Sequence, residues 1–479
     1  MPTLTIHRDG KTVCVDFTGT PTVREILAEA GIFFEHPCGG RSVCGRCAIR
    51  IRGAVSGMSS REQAAGHRLS CMTKVYGDAE VFLDAVPDMA ILTDEIGKIR
   101  VQKNGQVFAA ADIGTTTIAV SLYSGTDPVP FFSAGAENPQ RRVADDVLGR
   151  ISYVRDHGGE SLQRDLTDTL QNLVLLSGES EGITQWVVTG NTTMLYLLTG
   201  RDPAVLGQAP FLPDCSFDEN ITILGKTAYL PPCIHGFIGA DLACAVLASG
   251  ICERTETAML CDLGTNGELA LWKHRTLYVT SVAMGPALEG VGIRNGCGAR
   301  NGAIDRVMLT GSGFTVHTIG GKPAIGLCGS GVIDAVACGL ERGLIKAEGQ
   351  MEEPMMLAEG IGLYPEDVQS VLLAKAALNA GMSMLMKASG TDAGEIRKVL
   401  LCGGFGSRIN LIHAAGVGLI PKSFPGITEE TGNAAIRGAA MLREEKNKEK
   451  IRDIASRAKV VSLGGNPEFN RRFIENLRF

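Results

Sequence analysis

Along the chain the period of hydrophobic and polar positions changes several times, and each change predicts an element. Residues 3–17, TLTIHRDGKTVCVDF, alternate polar with apolar, which predicts two half-buried strands turning at Asp9-Gly10. TVREILAEAG then predicts a short helix ended by Gly31. Residues 86–107 show no period and read as a linker. From 108 onward apolar runs end in glycine turns. VFAAADIGTTTIAVSLY reads as a buried strand, a glycine turn and a second strand, and AMLCDLGTNGELALW repeats that arrangement. QWVVTGNTTM at 185–194 and RKVLLCGGFGSRIN at 397–410 each run a strand into a glycine turn, so the duplication extends beyond the first pair. The stretch NAAIRGAAMLREEKNKEKIRDIASRAKV has helical composition and strong charge, which predicts an exposed helix. GGNPEFNRRFIENLRF predicts a short amphipathic segment docked to the body. The boundaries that follow are 1–85, a linker at 86–107, two related halves at 108–250 and 251–445, and a helical tail at 446–479.

Composition changes this picture little. At 479 residues the chain exceeds one ordinary core, and 44% hydrophobic with 20% charged residues describes a globular α/β multidomain protein and excludes disorder over most of it. A net charge of −6 gives no electrostatic reason to expect nucleic acid. The N-terminus lacks the basic start and apolar run of a signal peptide, and no apolar stretch reaches about 18 residues, so no membrane and a cytoplasmic location are expected. In such a chain 14 cysteines read as metal ligands plus buried small residues.

Cysteine spacing narrows the chemistry. HPCGGRSVCGRC places Cys38, Cys44 and Cys47 at C-x5-C-x2-C, and Cys71 follows in HRLSC. Four thiolates suit a 2Fe-2S cluster, and the N–H groups of a loop containing Gly39, Gly40 and Gly45 can approach its sulfides. Zinc is the alternative, although structural zinc usually takes two close pairs and only Cys44 and Cys47 form one. Cys14 is expected in the core. Arg41, Arg46, Arg50 and Arg52 form either a basic rim for an acidic partner or a solvated face.

The duplicated strands carry a second chemistry. In each copy a strand delivers an aspartate, Asp112 or Asp262, into a Gly-Thr hairpin whose N–H groups and hydroxyls can hold phosphate oxygens, with Mg2+ held by the carboxylates through water. Asn191 and Thr192 are candidates for the γ-phosphate side, and Gly403, Gly404 and Gly406 would let a base or ribose approach closely. GPALEG at 285–290 and GLCGSGVIDAV at 326–336 read as ordinary strand-to-helix turns when taken alone. Cys261, Cys328 and Cys402 beside these loops are expected to be buried small residues rather than a second metal site.

The first 85 residues resemble a ferredoxin, with a cysteine spacing similar to the adrenal type, which implies a β-grasp domain. Residues 108–445 resemble the superfamily of actin, heat-shock chaperones and sugar kinases, whose two ribonuclease-H-like halves clamp ATP. That resemblance implies that Asp112, Gly114, Thr115, Thr116 and Thr117 form the first phosphate loop, with Asp262, Gly264, Thr265, Asn266 and Gly267 in the second. It places Gly329, Ser330 and Gly331 among the nucleotide-binding positions, and Gly403, Gly404, Phe405 and Gly406 in an adenosine loop. Through PCGGRSVCGRC, ADIGTTT, VVTGNTTM, CDLGTNGELAL, GPALEGVGI, GLCGSGVIDA and LLCGGFGSRIN, nearly the whole chain resembles the reductive activators of corrinoid-dependent methyltransferases. The resemblance implies ATP-dependent one-electron reduction of a partner corrinoid protein from Co(II) to Co(I), fed by an upstream low-potential electron donor. Longer members carry an additional domain between the ferredoxin and ATPase parts, for which 86–107 leaves no room, so a homodimer stays open. Two other readings remain at this point: an activator of another low-potential or radical enzyme, and a kinase or chaperone-like ATPase.

Overall fold

A computed structural model of the chain describes residues 1–8, 11–30, 32, 34, 47–65, 67–83, 106–144, 146–311, 313–403 and 409–479. The linker expected at 86–107 lies, except for its last two residues, outside them.

At the N-terminus β1 (Thr3–Arg8) and β2 (Lys11–Asp16) form the hairpin expected from their alternation, with Arg8 opposite Lys11. Helix α1 (Val23–Glu29), β3 (Ala48–Val55), α2 (Ser60–Ala65), β4 (Arg68–Leu69) and β5 (Val75–Phe82) complete a sheet in the order β2-β1-β5-β3-β4. Strands β1 and β5 are parallel and the other pairs antiparallel, a β-grasp arrangement. Leu4, Ile6, Ile49, Val75 and Val81 form its core with Val23, Ile26 and Leu27 of α1. Cys14 departs from expectation: β2 is an edge strand, and the thiol is exposed 3.9 Å from the Thr5 hydroxyl.

The first half contains β6 (Val107–Ile113), β7 (Thr117–Ser124), β8 (Phe132–Glu137), α3 (Val147–His157), α4 (Glu160–Leu175) and β9 (Ile183–Gly190). It continues with α5 (Thr192–Thr199), β10 (Glu219–Ile223), β11 (Lys226–Leu230) and α6 (Ala240–Ser249). The second opens with β12 (Ala258–Leu263), β13 (Asn266–Lys273), β14 (Thr276–Ala283), β15 (Ala303–Leu309), β16 (Phe314–Thr318), β17 (Gly326–Leu327) and α7 (Gly329–Glu341). Next come β18 (Met355–Ala358), β19 (Ile361–Leu363), α8 (Pro365–Ser389), β20 (Lys398–Cys402), α9 (Leu411–Gly416), β21 (Thr428–Gly432) and α10 (Ala434–Met441). Helix α11 (Glu445–Arg457), β22 (Lys459–Val460) and α12 (Pro467–Glu475) follow.

The two main sheets run β10-β11-β9-β6-β7-β8 and β21-β20-β12-β13-β14-β22. Aligned on their hairpins, both place the third, second, first, fourth and fifth strands side by side, with the second antiparallel to its neighbours and the other pairs parallel. Each half is therefore ribonuclease-H-like.

Two helices lie between the sheets. Leu242, Ala245 and Val246 of α6 pack on Leu260, Ala270 and Val279 of the second sheet. Ala243 and Cys244 of the same helix, with Ile436 and Ala439 of α10, pack on Phe108, Ala110 and Val187 of the first. A Cβ on Gly438 would stand 2.0 Å from the Cys244 carbonyl oxygen, so glycine lets α10 touch the α6 backbone.

The charged stretch expected as one exposed helix is thus two. Its start is the buried α10, and only α11 is largely exposed, because the alanine and glycine positions pack between the sheets. Helix α8 also corrects an expectation. Among the described residues it is one helix long and apolar enough to cross a membrane, yet 72% of the qualifying window is buried, and Val371, Leu378 and Leu385 sit in the core of the second half.

Candidate functional site

A cavity of about 570 Å³ opens between the ribonuclease-H-like halves. Its walls are the two duplicated turns: Asp112 and Gly114 to Thr117 between β6 and β7, and Asp262 and Gly264 to Asn266 between β12 and β13. Each turn is closed by its glycine N–H, donated from Gly114 to Thr117 O at 2.9 Å and from Gly264 to Asn266 O at 3.1 Å. The turns meet across the cleft, with the Thr116 and Thr265 hydroxyls 2.5 Å apart. Thr265 Oγ1 also donates to Glu289 Oε2 at 2.5 Å.

Asn191 also lines the cavity, as the N-cap of α5. Its Oδ1 accepts from Met194 N at 3.0 Å and its Nδ2 donates to Thr115 Oγ1 at 2.9 Å. Gly329 and Ser330 line it from the first turn of α7, where the Ser330 hydroxyl stands 3.4 Å from the Cys328 thiol. Gly403 lines it at φ +90°, and a Cβ there would stand 2.5 Å from Leu263 O and 2.6 Å from Asp262 Oδ1.

Three expected residues do not line the cavity. Thr192 is buried and its hydroxyl donates to His235 O. Gly267 faces the core, where a Cβ would meet Met284 and Val282 at 2.8 Å. Gly331 allows α7 to approach β15, since a Cβ would stand 2.1 Å from Ile304 O. Gly404, Phe405 and Gly406 lie outside the described residues.

Polar residues that had not been singled out also join the site, among them Asp241, Glu268, Glu289 and Asn433. Asn433 caps α10 and donates to Asp112 Oδ2 at 3.2 Å. The carboxylates raise one another's proton affinity. Burial, then the charge of Asp241, pushes Asp112 up to about 7. Burial, then the charges of Asp112, Asp241 and Glu289, pushes Asp262 up to about 8. Asp241 and Glu268 are both raised, chiefly by burial, and face each other closely enough to share a proton. Glu289 is raised by burial despite hydroxyl donors from Thr265 and Thr116. A divalent cation would relieve this repulsion. Among the described residues no three such groups converge closely enough to ligate one directly. Cys261, Cys328 and Cys402 are buried with thiols pushed up mainly by burial, as expected of small core residues.

In the β-grasp domain Cys47 and Cys71 come together with their sulfurs 3.2 Å apart. The hydrogen bond with Cys71 and then burial push the Cys47 thiol far up. Glu62, 1% exposed, holds the Cys71 segment by accepting from Leu69 N at 3.0 Å and Thr73 Oγ1 at 2.9 Å. Cys38 and Cys44, with Gly39, Gly40, Gly45, Arg41 and Arg46, lie outside the described residues. Of the expected basic rim, Arg52 pairs with Glu80 at 2.6 Å, and the Arg50 guanidinium stands 5.8 Å from the Phe82 ring centre.

Comparison with known proteins assigns each part. A family described as the 2Fe-2S iron-sulfur cluster binding domain matches residues 6–76. One described as the RACo middle region matches 108–254, and one described as the C-terminal domain of RACo, the ASKHA domain, matches 256–479. The corrinoid activation enzyme RamQ of Eubacterium limosum is 31% identical over 418 residues, 77% of this chain and 70% of that protein. The [Co(II) methylated amine-specific corrinoid protein] reductase of Methanosarcina barkeri is 28% identical over 256 residues, 49% of this chain and 47% of the relative. A solved structure of a reductive activator for corrinoid, iron-sulfur protein superimposes with a TM-score of 0.74 at 23% identity, covering 100% of this chain and 98% of that one, which shows a shared fold.

Proposed function

The chain belongs to the RACo-type family of reductive activators of corrinoid proteins, and from that premise we propose that it returns a partner's corrinoid from Co(II) to Co(I) by one-electron transfer coupled to ATP hydrolysis. The observation that carries the coupling is the direct meeting of the two phosphate hairpins through Thr116 and Thr265 at 2.5 Å, in a chain that also brings two cluster thiols together.

Cys47 and Cys71, completed by Cys38 and Cys44, would hold a 2Fe-2S cluster, which supplies single-electron storage near about −400 mV. The C-x5-C-x2-C spacing and the match to a 2Fe-2S domain favour this over zinc. Residues Gly114 to Thr117 and Gly264 to Asn266 would hold the nucleotide's phosphates, and Gly403 leaves room that a side chain would fill. Asp112 and Asp262 would hold Mg2+ through water, exchanging mutual repulsion for attraction to the cation.

Co(I) corrinoid is a stronger reductant than a ferredoxin-type centre, so the transfer runs uphill at roughly 2.3 kcal/mol per 100 mV for one electron. Phosphates drawing on both hairpins favour the closed arrangement of the halves, and α6 and α10, each packed on both sheets, carry that preference through the molecule. The closed form binds a corrinoid protein whose cobalt has lost an axial ligand, which makes Co(II) easier to reduce. Hydrolysis then releases the partner. The electron enters from an upstream low-potential donor.

The test is anaerobic. The reduced protein is mixed with a Co(II) corrinoid protein, and the visible spectrum is followed with and without ATP. Formation of Co(I) only with ATP is expected. Protein that lacks iron, or a spectrum and a complex affinity that ATP leaves unchanged, would end the proposal.

A further inference from the structure

The first phosphate hairpin is gripped through three successive carbonyl groups. Asn138 Nδ2 donates to Gly114 O at 2.9 Å, Arg150 Nη2 donates to Thr115 O at 2.5 Å, and Asn138 N donates to Thr116 O at 2.7 Å. Neither Asn138 nor Arg150 lines the cavity; they are 1% and 0% exposed and lie behind the turn. In a trans peptide the N–H points opposite to the C=O. Pinning three consecutive carbonyls away from the cleft therefore aims the N–H groups of Thr115, Thr116 and Thr117 into it, the arrangement that binds an anion.

Arg150 is itself held in place. On α3 its Nε donates to Ala144 O at 3.2 Å and its Nη1 to Gln140 Oε1 at 3.0 Å, while Gln140 Nε2 donates to Leu162 O at 2.9 Å. Gly149 permits the tight return to Ala144, where a Cβ would clash at 2.6 Å. A permanently protonated guanidinium held at Nε and Nη1 presents Nη2 to Thr115, and it cannot swing away without unpairing buried groups.

We propose that Arg150 is a positioning residue for nucleotide phosphates: by holding the Thr115 carbonyl it sets the hairpin's N–H groups toward the phosphates of a bound nucleoside di- or triphosphate. This rests on the nucleotide reading of the cleft given above.

The experiment measures binding of Mg-ATP, Mg-ADP and adenosine to the full chain by calorimetry, for the unaltered protein and for Arg150→Met, Arg150→Lys and Asn138→Asp. Failure of the unaltered protein to bind ATP would remove the nucleotide reading itself. Given binding, Arg150→Met should weaken ATP and ADP about 10- to 100-fold, the scale of a lost hydrogen bond to a charged donor, and leave adenosine within a factor of two. Arg150→Lys, which keeps one charged donor, should recover part of the loss. Should the Arg150 variants fail to fold, Asn138→Asp, which removes the donor to Gly114 O, carries the same expectation. Equal weakening of adenosine and ATP, or unchanged ATP binding in a folded variant, overturns the proposal.

Discussion

Replacing Asp262 by asparagine should make the protein more stable and less active, with the gain in stability growing as pH rises. Asp262 keeps its proton up to about pH 8 instead of 3.8, because burial and the charges of Asp112, Asp241 and Glu289 oppose ionisation. A carboxyl with a raised folded-state pKa contributes stability that is complete below its unfolded value and is lost as pH rises through the folded one. At pH 7 that loss amounts to about 4 kcal/mol from the 3.2 pH units between 3.8 and 7. Water entering the cleft screens the charges, so a gain of roughly 1–2 kcal/mol is expected for Asp262→Asn at pH 7. The gain should be smaller at pH 5.5 and larger at pH 8.5. Calorimetric melting of both proteins at the three pH values, without nucleotide or divalent cation, measures it. ATP hydrolysis should fall at least ~10-fold in the same variant, since the carboxylate's preference for a cation is what its strain supports. A stability difference that does not change with pH, or that has the opposite sign, would refute the reasoning about mutual repulsion.

Three further substitutions probe separate parts of the molecule. Glu62→Gln should cost the β-grasp domain about 2–3 kcal/mol and weaken iron retention, read from melting and from iron content, because the amide sets a donor against Leu69 N or Ser59 N. In the unaltered protein burial raises the Glu62 carboxyl, but hydrogen bonds from Leu69, Ser59 and Thr73 outweigh it and hold the group below its usual value, so this stability is present above about 4.5 and fades as pH falls below it. Gly403→Ala places a methyl 2.5 Å from Leu263 O at φ +90°, and should lower stability by about 1–3 kcal/mol and weaken nucleotide binding measured by calorimetry. Thr265→Val keeps the shape but removes both 2.5 Å hydrogen bonds, so hydrogen exchange should quicken at Gly114 to Thr117 in the opposite half; unchanged exchange there would mean that the two hairpins are not coupled.

What could be read from the sequence was whatever repeats or carries a fixed spacing. Two Asp-Gly-Thr turns ending apolar strands identify the duplicated halves, because strand burial and turn chemistry are local. The cavity therefore gathers Asp112, Gly114, Thr115, Thr116, Asp262, Gly264 and Thr265 as expected. Residues recruited by tertiary packing carry no such mark. Asp241 and Glu268 meet only because α6 crosses from one half to the other, and Asn433 reaches Asp112 only because α10 returns to the first sheet. Thr192 and Gly267 lie beside the cavity instead of lining it, because the Thr192 hydroxyl is taken up by His235 O and Gly267 faces Met284 and Val282. Arg150 likewise carries no mark in the sequence, and only the fold buries it behind the hairpin.

The exchange of helices also bears on how a nucleotide could act at a distance. In a clamp whose halves met only at the ligand, closure would change little beyond the cleft. Here α6 and α10 are each part of both cores, and Gly438 removes the spacing that would let one slide over the other. Asn433 adds a direct tie, since the residue that caps α10 also donates to Asp112, so a change in the charge at Asp112 is felt by the first turn of that helix. From α10 the chain passes into α11, where Lys450 pairs with Glu253, just after α6, and Arg452 with Asp218, just before β10. Under the proposed function, occupation of the phosphate hairpins would act on α11 along this path. The proposed function needs such a link, because the site where ATP would be used and the surface where a partner would dock must report to one another.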